Sequence, residues 1–257
     1  MRTEPFTGDA LSCDDFLGGR LKLWQPRDGY RAGVDPILLA AAVPARTGDS
    51  VLDLGCGAGP AMLALAVRVP GVQVCGVEVQ LGYADLARRN AALNGIAADV
   101  TCADLSDLPS GLRQRQFMHV LANPPYFSAG SRVAAEDAGR ETGLATDRPV
   151  ADWVAAAARR TDPRGTVTMI QRAERLPELL TAFQAHLHSV RVLPLAPRAH
   201  RDPKLVIVQA RRQGNAAFRL HAPLVLHEGA AHKGDFEAYN PDIKVILRDG
   251  AALAMPR

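Results

Sequence analysis

The sequence predicts an α/β fold built on a mostly parallel sheet with helices on both faces. Short apolar runs alternate with longer segments of helical period between about residues 50 and 210. Turn-forming Gly, Pro and Asn residues separate them, and the later runs are continuous and β-branched, as strands covered on both faces are.

Ser50–Leu54 reads as the first buried strand, bounded by Gly48 and Gly55. Residues 60–69 carry Ala, Met and Leu at helical density and stop at Pro70-Gly71. A second strand spans 72–77 and leads into Glu78. The helix Leu81–Leu93 closes at Asn94-Gly95, which suits a left-handed C-terminal cap. Ala98–Cys102 and Phe117–Ala122 are the third and fourth strands, the latter running directly into Asn123. Val150–Arg160 is a helix, 165–170 a strand and 173–188 a helix, and strands at 189–193 and 205–210 bring the strand count to seven.

Residues 1–257 read as a single domain: an N-terminal cap or lid over 1–45, a core over 46–212 and a C-terminal appendage over 213–257. With 47% hydrophobic and 22% charged residues, disordered and fibrous classes are excluded. No apolar run reaches the roughly 20 residues that cross a bilayer, and the N-terminus has no apolar signal region, so a cytoplasmic location is expected. Cys13, Cys56, Cys75 and Cys102 form no CxxC pair and are expected as buried small hydrophobes, with no metal. The net charge of +3 is only mildly basic, but arginines crowd the stretch from Arg132 to Arg175, with a second basic set at Arg198, His200, Arg201 and Lys204. Interspersed acids make part of the first set a solvated mixed-charge surface; the rest is a candidate RNA-facing patch.

Asp53-Leu54-Gly55-Cys56-Gly57-Ala58-Gly59 lies where the first strand passes into the first helix, the place where doubly wound sheets bind ligands. A dinucleotide fingerprint counted from Gly55 requires glycine at position 60, which is Pro60. The acid-x-G-x-G-x-G pattern instead resembles motif I of the Rossmann-like methyltransferases, which implies S-adenosylmethionine as cofactor. Glu78 ends the second strand, where a carboxylate can accept hydrogen bonds from both ribose hydroxyls. Asp53 then falls near the cationic methionine moiety, and the resemblance assigns Asp104 to the adenine amino group of the cofactor.

About seventy residues after Asp53, Asn123-Pro124-Pro125-Tyr126 follows the fourth strand. The double proline fixes a stiff extended corner. A planar amino nitrogen is a poor nucleophile because its lone pair is delocalised. The Asn123 side-chain oxygen and the Pro124 carbonyl can accept its two N–H bonds and aim it, while Tyr126 offers a stacking face. His119, inside the preceding strand, is expected to be packed rather than catalytic.

Together the two motifs resemble the amino-methyltransferases that act on adenine, cytosine or glutamine amide nitrogens. Gly29-Tyr30-Arg31-Ala32-Gly33-Val34-Asp35-Pro36, Asn123-Pro124-Pro125-Tyr126-Phe127, the Arg140-Glu141 pair and Asp152-Trp153 resemble the bacterial tRNA1(Val) adenine-37 N6-methyltransferase family over about residues 17–210. That resemblance implies a Rossmann-like class I methyltransferase with a seven-stranded sheet, and a tRNA substrate. It also implies that Tyr30, Arg31 and Asp35 lie beside the cofactor or the flipped base as a lid. Asp35 also reads as a helix N-cap with Pro36 as the first helical residue. The alternatives are glutamine-amide methylation of a protein such as a release factor, DNA adenine methylation, and a non-catalytic RNA-binding protein that keeps the fold.

Overall fold

A β-hairpin precedes the main sheet: β1 (Leu11–Phe16) pairs antiparallel with β2 (Leu21–Pro26) around the turn Leu17–Gly19. The computed structural model describes residues 4–126, 148–229 and 238–255. Phe127, the Arg132–Thr146 stretch and the Arg140-Glu141 pair lie outside the described residues.

The seven expected strands form the body of one sheet. They are β3 (Ser50–Leu54), β4 (Gln73–Glu78), β5 (Ala98–Cys102), β6 (Phe117–Ala122), β7 (Thr161–Arg172), β8 (His188–Ala196) and β9 (Leu205–Arg211), in the order β8-β9-β7-β6-β3-β4-β5. The pairings from β5 through β7 are parallel, whereas β9 runs antiparallel to both neighbours. Two two-residue strands, β10 (Arg219–Leu220) and β11 (Leu224–Val225), add parallel pairing along β8.

Side chains alternate across each strand, and the core divides accordingly. Val51, Val74, Leu121 and Ile207 face helices α1 (Asp35–Ala42), α2 (Pro60–Arg68) and α3 (Leu81–Leu93). Leu52, Cys75, Val120 and Val208 face the short α4 (Ser110–Arg113) together with α5 (Val150–Arg160) and α6 (Leu176–His186). A last helix, α7 (Pro241–Asp249), joins the first face beside the hairpin turn, where the Arg20 guanidinium donates to the Arg248 carbonyl.

Strand β7 begins earlier than 165 because Pro163 and Gly165 are accommodated in a register shift: Phe117 pairs with Thr161 and His119 with Thr166. A bulge tolerates proline, which has no ladder donor to lose. The expected helix over 173–188 is a 3-10 turn at Ala173–Arg175 followed by α6, with Pro177 in the first turn, where its missing N–H costs nothing. Cys56 and Cys75 are buried, but Cys13 and Cys102 are exposed, so the expectation of four buried thiols is corrected; all four are free. Among the described residues no helix is long and apolar enough to cross a membrane, and no group of side chains could hold a metal.

The hairpin is held by α3. Asn90 accepts from the Trp24 amide at 2.8 Å and donates to the Trp24 carbonyl at 3.0 Å. Asn94 does the same with Lys22, at 2.9 and 2.7 Å. Four residues of helix rise about 6 Å and two residues of strand about 6.7 Å, so two side-chain amides one turn apart meet alternate peptide groups of β2. They satisfy an edge that otherwise lacks a strand partner among the described residues.

The C-terminal carbonyls of α1 are satisfied from outside the helix. The Arg68 guanidinium donates to Ala40 and Val43, and the Gln209 amide to Ala42. Arg68→Ala should lower stability by about 1–3 kcal/mol, because it removes a charged donor from the helix-terminal carbonyls of Ala40 and Val43. Urea denaturation reads this as a lower midpoint at unchanged slope; an unchanged midpoint would contradict the capping role.

Candidate functional site

The parallel register brings three chain ends to one level. Leu54 pairs with Val77 on one side and Ala122 on the other. The next residue on each strand is Gly55, Glu78 and Asn123, so both motifs open at the same carboxyl edge of the sheet.

The glycine loop is fixed from beneath. Gly55 and Cys56 donate to the Val77 carbonyl at 2.8 and 2.9 Å, and the Gly57 amide donates to Glu78 Oε2 at 3.0 Å. Gly55, Gly57 and Gly59 all have positive φ, of 70°, 55° and 88°. At Gly55 a Cβ would also lie 2.6 Å from the Trp153 ring, whereas at Gly57 it would meet nothing within 4 Å among the described residues. The open side of Gly57 lets a ligand approach the backbone closely. Trp153, noted in the sequence as part of the resemblance, packs the opposite side of the loop and thereby excludes any side chain at 55.

Glu78 takes the Gly57 and Gln80 amides and remains buried. Burial pushes its carboxyl up, against hydrogen bonds from the Gln80, Gly57 and Val79 amides. Each oxygen retains acceptor capacity for a hydroxyl. Asp53 is also buried, and its Oδ2 accepts from the Met62 amide at 3.2 Å, in the first turn of α2. That hydrogen bond favours the charged form, and burial outweighs it.

In the second motif the Asn123 Nδ2 donates to the Tyr30 hydroxyl at 3.5 Å. Its Oδ1 is buried and has no hydrogen-bond partner among the described residues. A buried, unsatisfied acceptor is costly, and here it sits one residue beyond the strand beside the glycine loop. The Gln171 Nε2 lies 3.4 Å from the Pro124 carbonyl, and the Arg175 guanidinium donates to the Pro125 carbonyl at 3.1 Å. The Tyr126 hydroxyl donates to Asp35 Oδ2 at 2.6 Å. Burial raises the Asp35 carboxyl and that hydrogen bond opposes the rise.

Asp35 is therefore not an N-cap: it makes no capping hydrogen bond, Val34 occupies that position, and the carboxylate holds Tyr126 instead. Tyr30 and Asp35 both contact the Asn-Pro-Pro-Tyr loop, through Asn123 and Tyr126. Arg31 does not bring its guanidinium there, because Ser12, the Pro26 carbonyl and Asp14 of the hairpin take it at 2.8, 2.9 and 2.6 Å. Asp104 stands at the expected strand end with its oxygens engaged by Arg148 at 2.7 Å and Ser106 at 2.6 Å. Burial acts to raise its carboxyl, and the Ser106 and Arg148 contacts outweigh it and hold it below its ordinary value.

His119 is packed, between Thr166 Oγ1 at 2.8 Å and Asp49 Oδ2 at 3.1 Å. Of the arginine-rich stretch, Arg148, Arg164, Arg172 and Arg175 each pair with an acid, which reduces the free positive charge expected there. Gln171 and Asn90 were not singled out from the sequence, and Arg175 only as one of the arginines of the basic stretch. No local signal in the sequence sets Gln171 or Asn90 apart from other polar residues.

The family model for the methyltransferase small domain matches residues 33–191. A Porphyromonas gingivalis protein named tRNA1(Val) (adenine(37)-N6)-methyltransferase is 29% identical over 219 residues, 81% of this chain and 85% of that protein. Its namesake from Aeromonas hydrophila is 31% identical over 193 residues, 72% of this chain and 78% of that protein. The namesake from Dickeya chrysanthemi is 28% identical over 247 residues, 93% of this chain and 95% of the relative. Among solved structures, a predicted O-methyltransferase from Agrobacterium tumefaciens superposes with a TM-score of 0.69 at 27% identity, covering 87% of this chain and all of that one. A 16S rRNA N2 methyltransferase from Thermus thermophilus, in complex with AdoMet and guanosine, shares the fold at a TM-score of 0.53 and 20% identity, over 79% of this chain and 50% of that one.

Burial pushes the Asp53 carboxyl up to about 8, opposed by the Met62 amide and assisted by Glu78. Between its unfolded value near 4 and that value, the folded chain holds a proton that the unfolded chain has released. Stability of the ligand-free protein must therefore fall as pH rises through this window, by up to about 1.4 kcal/mol per pH unit from this group. Urea titrations from about pH 5 to 8 should show a flatter decline in Asp53→Asn. An identical slope in the two proteins would contradict the buried, protonated carboxyl.

Proposed function

Because the chain belongs to the methyltransferase small domain family and to the family of tRNA1(Val) (adenine(37)-N6)-methyltransferases, we propose that it methylates the N6 amino nitrogen of an adenine in tRNA, at position 37 of a valine tRNA. The cofactor is S-adenosylmethionine, and the residues present fit it: an open backbone at Gly57, a carboxylate at Glu78 that keeps acceptor capacity, and a second carboxylate at Asp53. The observation that carries the reading is the orphaned, buried Oδ1 of Asn123 at the level of the glycine loop.

S-adenosylmethionine, when bound, supplies an electrophilic methyl group. The protein's task is to present the nitrogen. Asn123 Oδ1 accepts one amino N–H, and the Pro124 carbonyl, which keeps a lone pair beside its contact with Gln171, accepts the other. Both acceptors strengthen as positive charge develops on nitrogen, so positioning and electrostatics supply the rate and no strong base is required. Tyr126, held through its hydroxyl by Asp35, offers a ring face to a base that has left its stack.

Residues 46–212 carry the chemistry, 1–45 act as cap and lid, and 213–257 are an appendage. Glu78 binds the ribose, and Asp53 faces the methionine end. Asp104 reaches the adenine amino group if Arg148 yields one of its oxygens. The basic loop with Arg201 and Lys204 follows the phosphates, and a tRNA substrate places the enzyme in the cytoplasm.

Asn123→Ala should reduce kcat by about 100- to 1000-fold, the range for losing one preorganised transition-state contact, with cofactor affinity unchanged by titration calorimetry. Equal collapse of cofactor binding would refute the assigned role. Glu78→Ala should weaken cofactor binding first; normal binding in that variant would remove the ribose assignment.

A further inference from the structure

Asn90 contacts more than the hairpin. Its Nδ2, besides donating to Trp24, donates to the Ala58 carbonyl at 2.9 Å. The side chain is fully buried, and three bonds of 2.8–3.0 Å engage both amide protons and the oxygen. Ala58 lies between Gly57 and Gly59, so the acceptor belongs to the middle of the glycine loop.

We propose that Asn90 is a positioning residue for the cofactor loop: it fixes the Ala58 peptide, and with it the path of Gly57 and Gly59, to the seated β1–β2 hairpin. Two glycines flanking Ala58 leave that segment little conformational preference of its own. The loop is anchored at one end by the Val77 carbonyl and Glu78. At the middle, the Asn90 bond satisfies a buried carbonyl that has no strand or helix partner among the described residues. The same amide grips both peptide groups of Trp24, so hairpin and loop share one rigid connection. The hairpin also holds Arg31, next to Tyr30 of the site. Displacing β2 therefore releases the loop, and ordering the loop seats β2. Asn94 provides an internal comparison. It grips Lys22 in the same manner, and its remaining bond goes to the Asn90 carbonyl within α3, not to the loop.

The inference rests on the reading that this loop holds S-adenosylmethionine, and the test separates the two. S-adenosylhomocysteine affinity is measured by calorimetry for the wild type, Asn90→Ala and Asn94→Ala, well below each melting temperature. Asn90→Ala should bind about tenfold more weakly, the equivalent of one lost buried hydrogen bond, and Asn94→Ala within about twofold of wild type. The KM for S-adenosylmethionine should rise in parallel in Asn90→Ala, with kcat at saturating cofactor nearly preserved. Should Asn90→Ala not fold, Asn90→Ser, whose hydroxyl can donate to only one carbonyl, takes its place with the same expected order. Equal affinities in all three proteins, or equal losses in both variants, would overturn the positioning role. A wild-type chain that bound no S-adenosylhomocysteine would overturn the cofactor reading itself.

Discussion

Parallel pairing of β3 with β4 and β6 is the constraint on which the site depends. In-register neighbours leave the sheet together, so Gly55, Glu78 and Asn123 start from one level although they are far apart in sequence. A shift of one residue in either pairing would move Glu78 or Asn123 to the opposite face. The two apolar cores make such a shift unfavourable, since every strand side chain would exchange its helices for the wrong set. Core packing thus fixes the distance between the cofactor loop and the amino-group loop.

The second layer of organisation comes from residues ahead of the sheet. Tyr30 accepts from Asn123, and Asp35 accepts from Tyr126, so one short segment sets two positions of the Asn-Pro-Pro-Tyr loop. Gln171 and Arg175 hold the two intervening carbonyls from the other side. With Nδ2 directed at Tyr30, the buried Oδ1 of Asn123 is left without a hydrogen-bond partner among the described residues. Preorganisation of this kind costs stability, because the oxygen is desolvated before substrate arrives.

Much of this was legible in the sequence where the signals are local. The bounds of β3, α3, β5, β6 and α5 follow from apolar period and turn residues, and both motifs fall at the ends that the pattern predicts. The hairpin was not resolved, although Gly18-Gly19 between Leu11–Phe16 and Leu21–Pro26 is a turn signal; the polar content of Ser12–Asp15 hides the alternation. Interactions between distant residues were beyond local pattern. Arg31 has hairpin acceptors that only the fold brings near, Asp35 finds Tyr126 across 91 residues, and Asp104 meets Arg148. Asn90 looks like any polar residue in a helix until β2 and Ala58 converge on it.

In the proposed reading the Asn-Pro-Pro-Tyr loop accepts a planar amino nitrogen, a chemistry that a base and an amide share, and family membership selects the base. The most direct measurement is mass spectrometry of nucleosides from unmodified tRNA, and of protein digests, after incubation of each with the purified chain and S-adenosylmethionine. The account predicts N6-methyladenosine in tRNA and no methylated glutamine. Methylated glutamine in the protein fraction with unmodified adenosine in tRNA would contradict it.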